Sequence, residues 1–425
     1  MNRSAIDLTP DDLADLEGKR GRAVQWAMDL VMSVAISLRA PRLVTINGAH
    51  LVGAYHSGPA NLAFLNQLAG FDARVRVPTT LNASSADLTD EAMHCYRGKE
   101  RESAREVVRL LCGMGCRATL TCAPYFLQAP PAFGGYLAWA ESNAVLFANS
   151  VLGARTLKCT QYFDLACALV GRAPYAGVMT DEGRTPEIII NTDHLSDSWF
   201  DDRIGFQLIG YAAGAAAGAK AALIKGLPEC LDNTTLQGIC AAAGVSGSLA
   251  MLHIEGSTPE ALSHQSAMRN RDMITLQDRD LHNIAESLRS DLRSNPVGVC
   301  IGTPHAGPEL LTEISAKLTQ YERSIRIPIY ISIGRNTYAD KKHIDVVDDL
   351  LSKGVTIVRD TCTYYGALFE KTNGLLLTNS VKWAAYASTG LPCAPVLATL
   401  DECLDSAVTG HYNPNQNFWN GWNDR

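Results

Sequence analysis

Along most of the chain, short and uniformly apolar runs alternate with segments whose apolar residues recur at helical spacing. Residues 8–40 read as helical, and Leu8-Thr9-Pro10-Asp11-Asp12-Leu13 is a capped start with Thr9 as N-cap and Pro10 at the first helical position. After Pro41 the pattern changes. The apolar run Leu43-Val44-Thr45-Ile46 ends in Asn47-Gly48-Ala49-His50, and Pro59 to Leu68 regains helical spacing. Val75-Arg76-Val77 leads into Pro78-Thr79-Thr80-Leu81-Asn82, and Ala118-Thr119-Leu120-Thr121 leads into Cys122-Ala123-Pro124-Tyr125. The C-terminal portion is clearer. It predicts strands at 297–302, 327–333, 355–358 and 375–377, with helices at 308–320, 342–352 and 381–388, the second closed by Gly354. Strands alternating with helices predict βαβ units around largely parallel sheets, hence an α/β fold. The pattern divides the chain into an N-terminal α/β lobe with a helical start (1–215), a mixed α/β middle segment (216–292), a doubly wound α/β domain (293–408) and a C-terminal tail (409–425).

Composition narrows the function classes. With 47% hydrophobic and 19% charged residues, the 425-residue chain is a folded protein of several domains. A net charge of −7 without any basic block argues against nucleic acid. The longest uncharged run, Arg117 to Glu141, holds Pro124, Pro130, Pro131, Gly134 and Gly135, which argues against a membrane span. Ile204 to Ala219, mostly Ala and Gly, predicts a close-packed internal helix. The acidic N-terminus, with Asp7, Asp11 and Asp12, has no apolar leader core, so the expected location is the cytoplasm. Twelve cysteines in a reducing compartment predict free thiols rather than a disulfide framework.

In open α/β sheets, ligands collect beyond the carboxyl ends of the strands. The polar groups expected there are His50, Thr79, Thr80, Asn82 and Cys122 in the first lobe, and Thr303-Pro304-His305, Gly334-Arg335-Asn336, Asp360-Thr361-Cys362 and Thr378-Asn379-Ser380 in the last. Cys122 and Cys362 each follow an apolar strand and precede a polar turn, while Cys300 sits within its strand. Thiols assembled from distant segments would suit an iron–sulfur site, although spacing alone favours buried structural cysteines. Cys95 stays undecided, and Cys393 reads as a core residue. His305 reads equally as a helix-cap neighbour or a catalytic group. Lys382, at a helix start, reads equally as a solvated lysine or an anchor for a carboxylate or phosphate. Glu141-Ser142-Asn143 and Asn149-Ser150 bracket the apolar stretch 144–148, which a buried strand with polar ends explains as well as a site does. Rossmann, P-loop, GxSxG and HExxH signatures are all missing from the sequence.

At these same segments the chain resembles the aconitase X family. The matching stretches are Gly58-Pro59-Ala60, the run from Val75 to Asn82, Cys122-Ala123-Pro124-Tyr125, the runs from Ala138 to Ala144 and from Phe147 to Thr156, Gly302-Thr303-Pro304-His305, Asp360-Thr361-Cys362 and Thr378-Asn379-Ser380-Val381-Lys382. The resemblance runs from about Leu8 to about Val408. It implies an aconitase-like fold, several α/β/α lobes around an inter-lobe cleft, and a hydro-lyase with an iron–sulfur cluster ([2Fe-2S], [4Fe-4S] or [3Fe-4S]) on three cysteines. Cys122 and Cys362 carry over directly, and Cys300 is the expected third ligand. His305 and Lys382 are the expected catalytic residues. Ser57, Thr79, Thr80, Asn82, Ser142, Asn143, Asn149, Asn379 and Ser380 are the expected substrate contacts. Bacterial members of the family dehydrate cis-3-hydroxy-L-proline and archaeal members dehydrate mevalonate 5-phosphate. The archaeal type usually has cysteine where this chain has Thr303, and it differs at the stretch 83–87, so the chain looks more like the hydroxyproline branch. The family joins this region to a small swivelling domain. The short aromatic tail after Val408 does not supply one, which implies a separate small subunit, and Phe418, Trp419 and Trp422 read equally as part of its contact or as a flexible end.

Overall fold

The structure is a computed structural model that describes residues 6–89, 98–127, 129–261, 271–289, 295–365, 374–390 and 394–420. Cys95, Cys393 and Trp422 lie outside the described residues. The fold is α/β, built on three principal parallel sheets flanked by helices, with a two-stranded antiparallel ladder, Leu43–Thr45 against Arg172–Pro174, beside the first.

The first sheet orders its strands Thr79–Leu81, Gly48–Leu51, Tyr136–Trp139, Arg155–Thr156, all parallel. Two expectations shift here. The predicted run 43–46 forms the ladder strand Leu43–Thr45, and the sheet strands lie just beyond the predicted runs, so His50, Thr79 and Thr80 lie within strands rather than past them. The predicted run at 75–77 is irregular. The helical N-terminus splits into Pro10–Leu16 and Arg22–Ser37 around Gly18 and Gly21, and Thr9 caps the first by accepting from Asp12 N.

The second sheet orders Asp272–Thr275, Ile188–Asn191, Ala222–Lys225, Leu252–Ile254. A boundary at 215 therefore cuts through this layer, because Ile188–Asn191 and the helix Arg203–Ala217 both belong to it. That helix packs against Asn233–Ser246 so closely that a Cβ on Gly214 would sit 2.4 Å from the Ala243 carbonyl oxygen. The small-residue composition is thus a requirement of backbone-to-backbone approach.

The third sheet matches its predicted strands and adds an edge strand, in the order Thr356–Arg359, Ile329–Ile333, Pro296–Ile301, Leu375–Thr378, Ala394–Leu397. Its first strand in the chain lies in the middle, so connections leave in both directions and open a crevice at its carboxyl end. The first sheet has the same arrangement about Gly48–Leu51. Among the described residues, no helix is long and apolar enough to cross a membrane.

Candidate metal centre

The chain turns sharply at the carboxyl end of Pro296–Ile301. Gly302 adopts φ +92°, and a Cβ there would lie 2.3 Å from the Ser332 carbonyl oxygen, so only glycine lets the turn nestle on the neighbouring strand. The turn delivers His305 to Cys122 of the first lobe and Cys362 of the third. Ligand atoms of these three residues lie within 4.8 Å of one another, and all three are buried. The Cys122 and Cys362 sulfurs are 3.9 Å apart, far beyond a disulfide bond of about 2.05 Å and close to the about 3.8 Å spanned by two thiolates on one tetrahedral ion.

The electrostatics distinguish the two thiols. Burial opposes ionisation of Cys122, but the neighbouring Cys362 thiol, His305 and Lys382 outweigh it and bring its pKa down to about 6. The His305 backbone N–H also donates to Cys122 Sγ at 3.2 Å. Cys362 is pushed well above the usual thiol range by its hydrogen bond to Cys122 and by burial, so Cys122 ionises first.

His305 is held at both ring nitrogens. Nε2 lies 3.0 Å from the Thr361 carbonyl oxygen, an obligate acceptor, so Nε2 donates there, and Nδ1 lies 3.2 Å from Thr121 Oγ1. A backbone carbonyl orienting an imidazole in this way is the usual support of a metal-ligating histidine.

Beside the thiols lies a buried ion pair. Lys382 Nζ is 2.5 Å from Glu141 Oε1, with 3% and 7% side-chain exposure respectively. Burial opposes both charges, but Lys382 holds Glu141 below the ordinary carboxylate range and Glu141 holds Lys382 above the ordinary lysine range. Glu141 also caps the helix Ser142–Leu146 by accepting from Ala144 N, and that helix continues as a π-helical turn, Phe147–Val151. The stretch read as a buried strand is therefore helix. Wide turns of this kind are common beside functional sites.

Cys300 does not join the group. Along Pro296–Ile301 the side chains alternate, so Val299 and Ile301 face one layer while Cys300 faces Leu376, Trp383 and Ala387. Only residues past the strand end, from Gly302 onward, reach the crevice. Among the described residues, the imidazole of His305, and not the Cys300 thiol, stands within ligand distance of Cys122 and Cys362.

Several expected substrate contacts prove to be structural ties. Asn149 donates to the Thr156 and Ala250 carbonyls and accepts from Thr156 N. Asn143 donates to the Cys122 carbonyl and Glu141 Oε2 and accepts from Tyr125 Oη. Thr79 donates to the Val77 carbonyl, and Thr80 pairs with Nδ1 of His50, which burial holds neutral with a pKa of about 4. Ser380 donates to the Thr303 carbonyl and accepts from Trp383 N. Asn379 gives its carbonyl to Gln207 and faces a different cavity, with Arg203 and Lys317. Ser57 is exposed, and Ser142 is half-buried beside Glu141. Asn82 is buried and adjoins Ala83, which clusters with Cys122 and Cys362.

Further groups complete the site, of which Ser84, Tyr364 and Tyr365 were given no role from the sequence, while Thr303, Arg335, Asp360 and Thr361 were expected at strand ends. Tyr364 and Tyr365 pack on the two thiols. Asp360, at φ +66° two residues before Cys362, is held by both arms of the Arg335 guanidinium. The hydroxyls of Ser84, Thr303 and Thr361 are buried without hydrogen-bond partners among the described residues. Buried hydroxyls of this kind need a partner. Three of them on the segments that carry Cys362, His305 and Ala83 fit a site that takes a metal centre and a polar ligand.

The aconitase X first-domain model matches residues 5–182, the second-domain model 186–286 and the third-domain model 297–409. The chain belongs to the aconitase X family. It is 35% identical over 412 residues to a cis-3-hydroxy-L-proline dehydratase of Pseudomonas aeruginosa, covering 94% of this chain and 69% of that protein. A cis-3-hydroxy-L-proline dehydratase of Hypocrea jecorina is 30% identical, over 96% of this chain and 70% of the relative. A phosphomevalonate dehydratase large subunit of Thermococcus kodakarensis is 32% identical, over 89% of this chain and 94% of the relative. The crystal structure of Thermococcus kodakaraensis aconitase X in its holo-form superimposes with a TM-score of 0.84 at 30% identity, over 95% of this chain and 100% of that one. This aconitase X chain is accordingly a hydro-lyase, as its dehydratase relatives are.

Proposed function

We propose that this aconitase X chain is the large subunit of an iron–sulfur-dependent dehydratase that converts cis-3-hydroxy-L-proline to Δ1-pyrroline-2-carboxylate, working with a separate small chain. The observation that carries the reading is the buried Cys122–His305–Cys362 group beside the Glu141–Lys382 pair. A sulfur–nitrogen–sulfur donor set suits iron, and a cluster held there supplies a Lewis acid that eases departure of hydroxide. All ten described cysteines are free, which fits a reducing compartment such as the cytoplasm.

The chain's own residues divide the remaining work. Lys382, fixed by Glu141 on one side, presents an ammonium to the substrate carboxylate. The Ser84, Thr303 and Thr361 hydroxyls offer hydrogen bonds that orient the ring. His305 donates from Nε2 to the Thr361 carbonyl and pairs Nδ1 with Thr121, which fixes the ring beside the two thiols. Burial of the whole group excludes bulk water. In the overall reaction the C2 proton and the C3 hydroxyl leave as water, and the resulting enamine tautomerises to the cyclic imine.

The alternative substrate is mevalonate 5-phosphate, and chain length supports keeping it in view, since this chain covers 94% of the Thermococcus large subunit. Charge favours the imino acid. With Lys382 given to the carboxylate, a phosphate dianion calls for a further unpaired cation, whereas Arg335 is already matched by Asp360. The test is an anaerobic assay of the reconstituted chain with its small partner on both substrates. Turnover of cis-3-hydroxy-L-proline, and little of the phosphate, is expected. The reverse preference overturns the substrate, and activity without any partner chain overturns the two-chain arrangement.

A further inference from the structure

A hydrogen-bond chain enters the site from the second lobe. Gln237, on the helix Asn233–Ser246, places Nε2 at 3.1 Å from the His305 carbonyl oxygen and 2.9 Å from Tyr125 Oη. Tyr125 Oη lies 2.5 Å from Asn143 Oδ1. Asn143 Nδ2 then reaches the Cys122 carbonyl at 2.7 Å and Glu141 Oε2 at 2.6 Å, and Glu141 Oε1 meets Lys382. Every member is buried.

The direction of this chain is fixed at both ends. The His305 carbonyl can only accept, so the end of Gln237 facing it must be the NH2, whose second proton goes to Tyr125. The Cys122 carbonyl can only accept, so Asn143 must turn its NH2 that way and its oxygen toward Tyr125. Tyr125 therefore accepts from Gln237 and donates to Asn143. Only a hydroxyl can do both at one atom. The ring itself is pinned by stacking on Phe147, with centroids 4.0 Å apart.

We propose that Tyr125 is a positioning residue of the dehydratase, locking the Asn143 amide so that Glu141 holds the Lys382 ammonium where the substrate carboxylate binds. Gln237 ties this lock to the seating of the second lobe. The role given to Lys382 rests on the function proposed above, whereas the orientation of the lock does not.

The test uses Tyr125→Phe, which keeps the stacked ring and removes the one atom that both accepts and donates. In the holoenzyme with its partner chain, kcat/KM should fall about tenfold or more, chiefly through KM. The substitution is then repeated in a Glu141→Gln/Lys382→Met background, where the buried pair is neutral and the fold keeps its packing. There Tyr125→Phe should add almost nothing, because its effect passes through the pair. An equal loss in both backgrounds overturns the proposal. A crystal structure of Tyr125→Phe supplies the second reading. Asn143 should turn and Glu141 should draw away from Lys382, and an unchanged Asn143–Glu141–Lys382 geometry also overturns it. If the unaltered enzyme acts on no hydroxy acid, the substrate assignment falls, and the crystal structure still decides whether Tyr125 sets the lock.

Discussion

Lys382 and Glu141 come from segments 241 residues apart and meet in the interior, each with its charge compensated by the other. A buried pair of this kind is vulnerable to loss of one partner. Lys382→Met leaves an uncompensated carboxylate and should cost about 3–5 kcal/mol of stability, whereas the double change with Glu141→Gln should recover most of it. Chemical denaturation of both variants reads the difference. Cys122 has its own signature in the metal-free protein. With a pKa of about 6, its thiolate absorbance should rise as pH increases through 6, well below the range of an ordinary thiol. Replacing Cys362 removes its main stabilising partner and should move that rise upward. The sequence marked Cys122 and Cys362 because both follow apolar runs and open polar turns. It could not rank His305 above Cys300, because the choice depends on strand alternation near Ile301, where a shift of one residue decides which side chain leaves the sheet.

At the scale of elements, close approach and buried acids set the limits. Gly214→Ala would drive a methyl into the Ala243 carbonyl across the helix pair, and about 1–3 kcal/mol of destabilisation, visible as a lowered Tm, is expected. Asp164, at the start of the helix Phe163–Val170, accepts from Val52 N and Leu165 N, yet burial raises its pKa from 3.8 to about 7. The folded state therefore holds this proton more tightly than the unfolded chain. Stability contributed by the neutral form is complete below pH 4 and is lost as pH climbs toward 7, on the order of 1 kcal/mol per pH unit. Asp164→Asn should flatten that slope in denaturation curves taken between pH 4 and 7, whatever it does to absolute stability. The third sheet was legible because most of its strands are apolar runs, two of them ended by Gly302 and Gly334. The first was less so, because Gly48–Leu51 and Thr79–Leu81 are three to four residues long and carry His and Thr. The helix Ser142–Leu146 has an apolar run with polar ends, a pattern that periodicity alone does not separate from a buried strand.

For the whole molecule, the site lies where Cys122 of the first lobe meets His305 and Cys362 of the third, with the second lobe buttressing it through Gln237. The described part of the C-terminal tail, 409–420, belongs to this frame. Trp419 is buried, donates its indole N–H to Glu402 at 2.8 Å and lies under the Arg289 guanidinium, while Phe418 packs edge-on against Trp199. Phe418 and Trp419 are thus committed to the chain's own core rather than displayed for a partner. Sequence alone could not reveal this, since a tail rich in Trp reads equally as an interface. Everything in the proposed function depends on a metal centre seated on residues from two lobes. The most direct measurement is iron and sulfide content, with the visible and EPR spectrum, of the chain purified without oxygen, beside Cys122→Ser, Cys362→Ser and Cys300→Ser. A cluster in the unaltered protein that is lost in the first two variants and kept in Cys300→Ser is the predicted result. A chain that binds no iron even after reconstitution, or one that keeps its cluster without Cys122 and Cys362, would contradict it.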